Sequence, residues 1–239
     1  MTRKKEAHMK YDVILFDADG TLMDFHRGES EAVRMKMAEM GIEPTDELAS
    51  EYSKINESLW KMLERKEITK PELLVRRFEI FCERFGFSVD AEKMARSYEN
   101  ALSQKGYLFD GAEELCSKLS ESFSLYIVTN GVERIQKGRF SHVPLHKYVK
   151  DVFISGVIGH EKPDVRYFEA VAQKIPNFDK KRALIVGDSL SADIAGGINF
   201  GIDTCFYNPQ GKSVPSDMDI TYVASSYSDV YDIITREDA

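Results

Sequence analysis

The sequence is poor in the residues that build disulfide frames and soft-metal sites. It holds three cysteines, Cys82, Cys116 and Cys205, far apart and in no ligand-like spacing. That number and spacing argue against a disulfide framework or a thiolate cluster and fit a reducing compartment. His26, His142, His146 and His160 share no face, and Pro144 spoils the helical pairing of His142 with His146. No apolar run approaches the roughly 18 residues of a membrane span, and the N-terminus has no apolar signal core. Positive charge is in deficit: 32 Lys and Arg against 40 Asp and Glu leave a formal net charge of −8. That balance argues against a nucleic-acid polymer or an anionic membrane as partner, and nothing in the sequence indicates a protein partner. What remains is a globular composition, 43% hydrophobic and 30% charged over 239 residues, long enough for one sizeable domain or a domain with an insertion. A cytoplasmic protein is expected, with polar, basic residues 1–10 as a flexible tail.

Short apolar runs recur: Val13 to Phe16, Leu125 to Val128, Val152 to Ile154, Ala183 to Val186, Thr204 to Tyr207 and Ile220 to Val223. Being apolar on both faces, they read as parallel strands covered by helices on each side. Helical patterns lie between the later runs, one beginning near Pro163 and another after Ser191 with Gly201 as its stop. The expected core is therefore an α/β, Rossmann-like parallel sheet with helices on both faces, formed by 11–22 and 106–239. Between the first two runs the rhythm breaks for about a hundred residues. Val33, Met37 and Met40 mark one helix; Tyr52, Ile55, Leu59 and Met62 keep helical spacing in a second. Thr69 to Glu72 reads as a capping box opening a third, striped by Leu74, Phe78, Phe81 and Phe85, and Met94, Tyr98, Ala101 and Leu102 mark a fourth. Residues 23–105 are thus expected to form an inserted four-helix-bundle cap.

Ligands of open α/β sheets bind beyond the carboxyl ends of the strands. The first run is followed by Asp17, Asp19, Gly20 and Thr21, and the second by Thr129, Asn130 and Gly131. Glu161-Lys162-Pro163 comes shortly after the third, and the fourth leads into Gly187-Asp188-Ser189, with Asp193 five residues past Asp188. Two carboxylates about 4 Å apart repel by roughly 4 kcal/mol at an effective dielectric near 20, so such a cluster must take up protons or hold a cation. Hard oxygen donors without nearby His or Cys favour Mg2+, whose charge together with Lys162 would turn the site toward a phosphate. Thr129 and Asn130 add neutral donors. Asp17, at the strand end, is the expected nucleophile, forming an aspartyl-phosphate. Asp19 is expected to protonate the leaving oxygen and then to activate water.

These four segments, in this order, resemble the motifs of the haloacid dehalogenase superfamily, in the class with a helical cap between the first and second. The resemblance covers the chain after the tail. It implies Mg2+ held by Asp17, the backbone carbonyl of Asp19 and Asp188, with Asp193 supporting through water or Lys162. It further implies phosphoryl contacts from Thr129 and Lys162, with Thr21 and Ser189 as supporting motif residues. The wording around Leu22-Met23-Asp24-Phe25, Gly187 to Ile198 and Gly201 to Cys205 is similar to the pyrimidine 5′-nucleotidase branch, although that branch's tryptophan after Thr-Cys is Phe206 here. The implied substrate is a small phosphorylated metabolite, a nucleoside 5′-monophosphate. The cap is expected to contribute substrate contacts near Asp24 to Arg27 or from an interhelical loop. Two alternatives stay open: a sugar-phosphate or other small-metabolite phosphatase or phosphomutase, and a non-catalytic phospholigand sensor on the same scaffold.

Overall fold

The computed structural model describes residues 9–236. Of the tail expected over 1–10, all but Met9 and Lys10 lies outside the described residues; the Lys10 ammonium sits 2.7 Å from Asp203.

The chain divides into two compact units. The first takes residues 9–22, Phe109–Asn130 and 145–236. Its elements are β1 (Val13–Phe16), α5 (Ala112–Ser120), β2 (Ser124–Thr129), β3 (Val149–Ile154), α7 (Ser155–Ile158), α8 (Val165–Ala172), β4 (Ala183–Gly187), α9 (Ala195–Phe200), β5 (Asp203–Tyr207), β6 (Tyr222–Ala224) and α10 (Tyr227–Thr235). All six strands are parallel, in the order β3-β2-β1-β4-β5-β6. The central strand β1 is buried on both faces, as its continuous apolar run requires. Val13, Leu15, Val128 and Ile185 pack on one face with Phe168 and Val171 of α8 and Phe200 of α9. Across the sheet α5 packs on β2, and α10 on α5 and β6.

Two strands start more than one residue away from the sequence reading, both at the sheet's edges. Strand β3 begins at Val149, with Lys150 and Asp151 exposed. An edge strand keeps one side in water, so polar residues extend it without a burial cost. At the other edge β6 starts two residues after the start of the apolar run and ends one residue past it, and its Val223 is half exposed.

The second unit comprises Met23–Leu108 and Gly131–Pro144. It contains α1 (Phe25–Glu39), α2 (Asp46–Glu64), α3 (Lys70–Phe85), α4 (Ala91–Leu102) and α6 (Glu133–Ser141). Helices α1 to α4 pack in a ring, each against its two neighbours, and Met37, Tyr52, Leu59, Phe78, Phe81, Met94 and Tyr98 meet in a shared core. Glu72 accepts from both the backbone N–H and the hydroxyl of Thr69, at 2.9 and 2.6 Å, which fastens the start of α3. Residues 131–144, which the sequence reading groups with the sheet, pack here instead: Ile135 joins the helical core, and Arg139 lies over the Phe25 ring. Among the described residues, no helix is long and apolar enough to cross a membrane.

Candidate active site

The strand order places β1 and β4 side by side at the centre of the sheet, where connections leave toward opposite edges. Such a switch point opens a crevice at the carboxyl ends of the two strands. Phe16 stands opposite Val186 in the ladder, so Asp17 and Asp188 leave the sheet nearly level with one another. Thr129 ends β2, Asn130 follows it, and Lys162 comes from the turn before α8.

Lys162 organises the cluster. Its ammonium donates to Asp17 Oδ1 at 2.6 Å, Asp193 Oδ1 at 2.6 Å and the Val128 carbonyl at 2.8 Å. Its main chain is held by Asn130, whose amide donates to Lys162 O at 2.8 Å while its Oδ1 accepts from Lys162 N–H at 2.8 Å. The Lys162–Pro163 peptide is cis. Asp193 Oδ2 accepts from the Ser189 backbone N–H at 3.1 Å, and the Ser189 hydroxyl in turn accepts from Ala192 N–H at 3.2 Å. These bonds open a single π-type turn, Leu190–Ile194, ahead of α9, and π-turns of this kind gather at functional sites. Thr21 bridges the two central carboxylates. Its hydroxyl donates to Asp17 Oδ2 at 3.2 Å and accepts from Asp188 N–H at 3.1 Å.

Two glycines permit this crowding. A Cβ at Gly187 would lie 2.3 Å from Asp193 Oδ2, and one at Gly20 would lie 2.6 Å from Asp188 Oδ2. Gly20 also has φ +91°, which a side chain would strain. Asp19 sits beside it, half-buried, in the turn closed by Leu22 N–H donating to Ala18 O at 2.9 Å.

Burial and the neighbouring Asp193 push Asp17 well above the usual carboxylate range, while the Lys162 ammonium pulls it back. Burial lowers the Lys162 pKa, but Asp17 and Asp193 more than reverse that and hold it above the usual lysine range. Asp188 is pushed up to about 6, first by burial and then by Asp193, against the pull of Lys212 and Lys162, with Asp19 adding repulsion. The shared causes are burial first and then an excess of negative charge around one buried ammonium. Asp17, Asp188 and Asp193 each bring a carboxylate oxygen within 4.8 Å of the others. The donors are hard oxygens, with no thiol or imidazole among them, and their charge calls for a cation, so the site fits Mg2+.

The structure thus brings Asp17, Thr21, Asn130, Lys162, Asp188, Ser189 and Asp193 into one bonded cluster, with Thr129 buried at its side and Asp19 at its rim. One placement differs from the expectation. Asn130, expected on phosphate, has its carboxamide engaged on the Lys162 main chain, which leaves one amide N–H for a ligand. Near the start of α1, Asp24 caps the helix through Arg27 N–H at 3.0 Å, and the Arg27 guanidinium lies 3.9 Å over the Tyr107 ring. Both are therefore committed within the helical unit. Sequence reasoning missed Lys212, whose ammonium is 3.7 Å from Asp188 Oδ2. It lies in a Pro- and Gly-bearing exposed stretch with no motif to mark it.

Comparison with known proteins agrees with this arrangement. Residues 11–201 match the haloacid dehalogenase-like hydrolase model. The pyrimidine 5′-nucleotidase PynA of Streptococcus pneumoniae is 38% identical over 95% of this chain and 97% of its own. The pyrimidine 5′-nucleotidase YjjG of Escherichia coli is 29% identical over 95% of this chain and all of its own. The magnesium-bound crystal structure of the HAD-hydrolase YfnB from Bacillus subtilis superposes with a TM-score of 0.90 at 36% identity, covering 95% of this chain and 100% of that one. A dehalogenase solved with an intermediate complex matches at a TM-score of 0.73 but only 18% identity, a likeness of fold alone, over 96% of this chain and 99% of that one. Sheet order, clustered motifs and whole-length relatives converge, and the chain belongs to the haloacid dehalogenase-like hydrolase family.

Proposed function

We propose that this hydrolase cleaves phosphomonoesters with Mg2+ through an aspartyl-phosphate on Asp17, and that nucleoside 5′-monophosphates are its substrates. The observation that carries the reading is the buried Lys162 ammonium bonded at 2.6 Å to both Asp17 and Asp193, with Asp188 beside them at the switch point. Lys162 and Thr129 hold phosphoryl oxygens, and Asn130 fixes the Lys162 main chain. The Asp17 carboxylate attacks phosphorus, the ester P–O bond breaks, and Asp19 delivers its proton to the leaving oxygen. Asp19 then takes a proton from water, whose oxygen attacks phosphorus, breaks the bond to Asp17 and releases phosphate. Asp17, the Asp19 carbonyl and Asp188 would hold Mg2+, whose positive charge would offset carboxylate and phosphoryl repulsion.

The nucleotide substrate rests on the two relatives named pyrimidine 5′-nucleotidases, which this chain matches over nearly its whole length. In this reading the helical unit is the cap that selects the leaving group, and the enzyme works on a small phosphorylated metabolite in the cytoplasm. The test is phosphate release across nucleoside monophosphates and sugar phosphates, with Mg2+ and then with EDTA. Metal-dependent turnover concentrated on nucleotides is expected. Turnover spread over sugar phosphates would keep the chemistry and remove the nucleotidase assignment, and no turnover on any ester would leave a phospholigand sensor.

A further inference from the structure

Both lysines that reach the carboxylates are fastened by the same device. Asn130, just past the end of β2, clamps the Lys162 main chain with a reciprocal pair of hydrogen bonds. Asn208, just past the end of β5, does the same for Lys212: its amide donates to Lys212 O at 2.9 Å, and its Oδ1 accepts from Lys212 N–H at 2.8 Å. Asn208 is buried and donates its own N–H to Ala224 O at 2.7 Å, so the clamp stands on the sheet. The rest of 209–217 is exposed. The two ammonium groups differ in freedom. Lys162 is fully enclosed by three acceptors; the Lys212 side chain is 49% exposed and meets Asp188 Oδ2 at 3.7 Å. Its root is fixed and its charge can swing.

We propose that Lys212 is a tethered counter-ion that holds Asp188 when no metal is bound, yields it to the divalent cation, and then turns to the phosphate that the cation brings. This rests on the reading of Asp188 as a metal ligand. An ammonium and a divalent cation drawn to one carboxylate repel each other, so each weakens the other's hold on it. Lys212 therefore competes with the metal taken alone and cooperates with the anion once the metal is in place. A lysine that only braced the loop would move neither affinity, or both in the same direction. Opposite signs on the two are the signature of the exchange.

The experiment is titration calorimetry on the full chain, wild type against Lys212→Met, Lys212→Arg and Asp188→Asn. Mg2+ is titrated alone, and then inorganic phosphate at saturating Mg2+. Because an exposed ion pair is worth only a fraction of a kcal/mol to about 1 kcal/mol, Lys212→Met is expected to tighten Mg2+ binding about two- to fivefold and to weaken phosphate by a similar factor. Lys212→Arg should stay near wild type, and Asp188→Asn should abolish metal binding. Unchanged or weaker Mg2+ binding in Lys212→Met, with Asp188→Asn still abolishing it, would overturn this inference alone. Mg2+ binding that survives Asp188→Asn would overturn the metal reading and the inference together.

Discussion

A methyl group at position 187 has nowhere to go. It would stand 2.3–2.5 Å from three atoms of the Asp193 side chain, which fixes Lys162 from the far side. Gly187→Ala is therefore expected to displace Asp193 and lower kcat by about 100-fold, the order of loss that a misplacement near 1 Å produces. The overpacking should also lower stability by about 1–3 kcal/mol, and a variant of normal kcat would contradict this placement. The acidic residues of the site were legible in the sequence because they follow apolar runs in a fixed order. Beyond the link of Asp193 to Lys162 that the resemblance implied, their partnerships were not. Nothing local shows that Asn130 faces a main chain 32 positions away rather than a ligand, and Lys212 carries no motif. Contacts of that separation are products of the fold, set by how β2, β5 and the turn before α8 converge.

At the scale of elements, helical periodicity located α1 to α4, because their inward positions are apolar. It failed for α6, whose buried residues include Gln136 and Arg139 and whose Gly138 fits only because it abuts Ser103. A helix that buries polar groups does not show a hydrophobic stripe. The bundle interior carries a second such feature. Glu29 of α1 accepts from Ser53 Oγ at 2.6 Å and Asn56 Nδ2 at 2.7 Å on α2, and Asn56 Oδ1 accepts from Arg77 Nη1 of α3 at 3.1 Å. Glu29, Asn56 and Arg77 are each about 2% exposed. Arg77→Met would leave Asn56 Oδ1 buried without its donor and cut the link from α3 to Glu29, and is expected to lower stability by about 1–3 kcal/mol. Urea unfolding measures the loss. A single variant as stable as wild type would mean that the chain carries no such coupling.

Over the whole molecule, the sparse cysteines mark structure and not chemistry. Burial pushes the Cys116 and Cys205 thiols up to about 12 and raises Cys82 as well. A raised thiol pKa means little thiolate at pH 8, so the native protein is expected to react negligibly with a disulfide reagent such as DTNB until it is unfolded. Rapid native labelling would contradict the burial of these residues. The fold class followed from the sequence because six apolar runs alternate with turns and helices. The assignment of 131–144 to the helical unit did not, since chain order alone cannot say which core a connecting helix joins.

The central claim is that Asp17 attacks phosphorus while Asp19 moves the proton. Its most direct test is phosphate release from a nucleoside monophosphate with saturating Mg2+, comparing wild type with Asp17→Asn and Asp19→Asn, each shown by circular dichroism to be folded. Turnover abolished in both variants, and lost from wild type when EDTA replaces Mg2+, is the predicted result. Turnover that survives in folded Asp17→Asn at a rate near wild type would contradict the account.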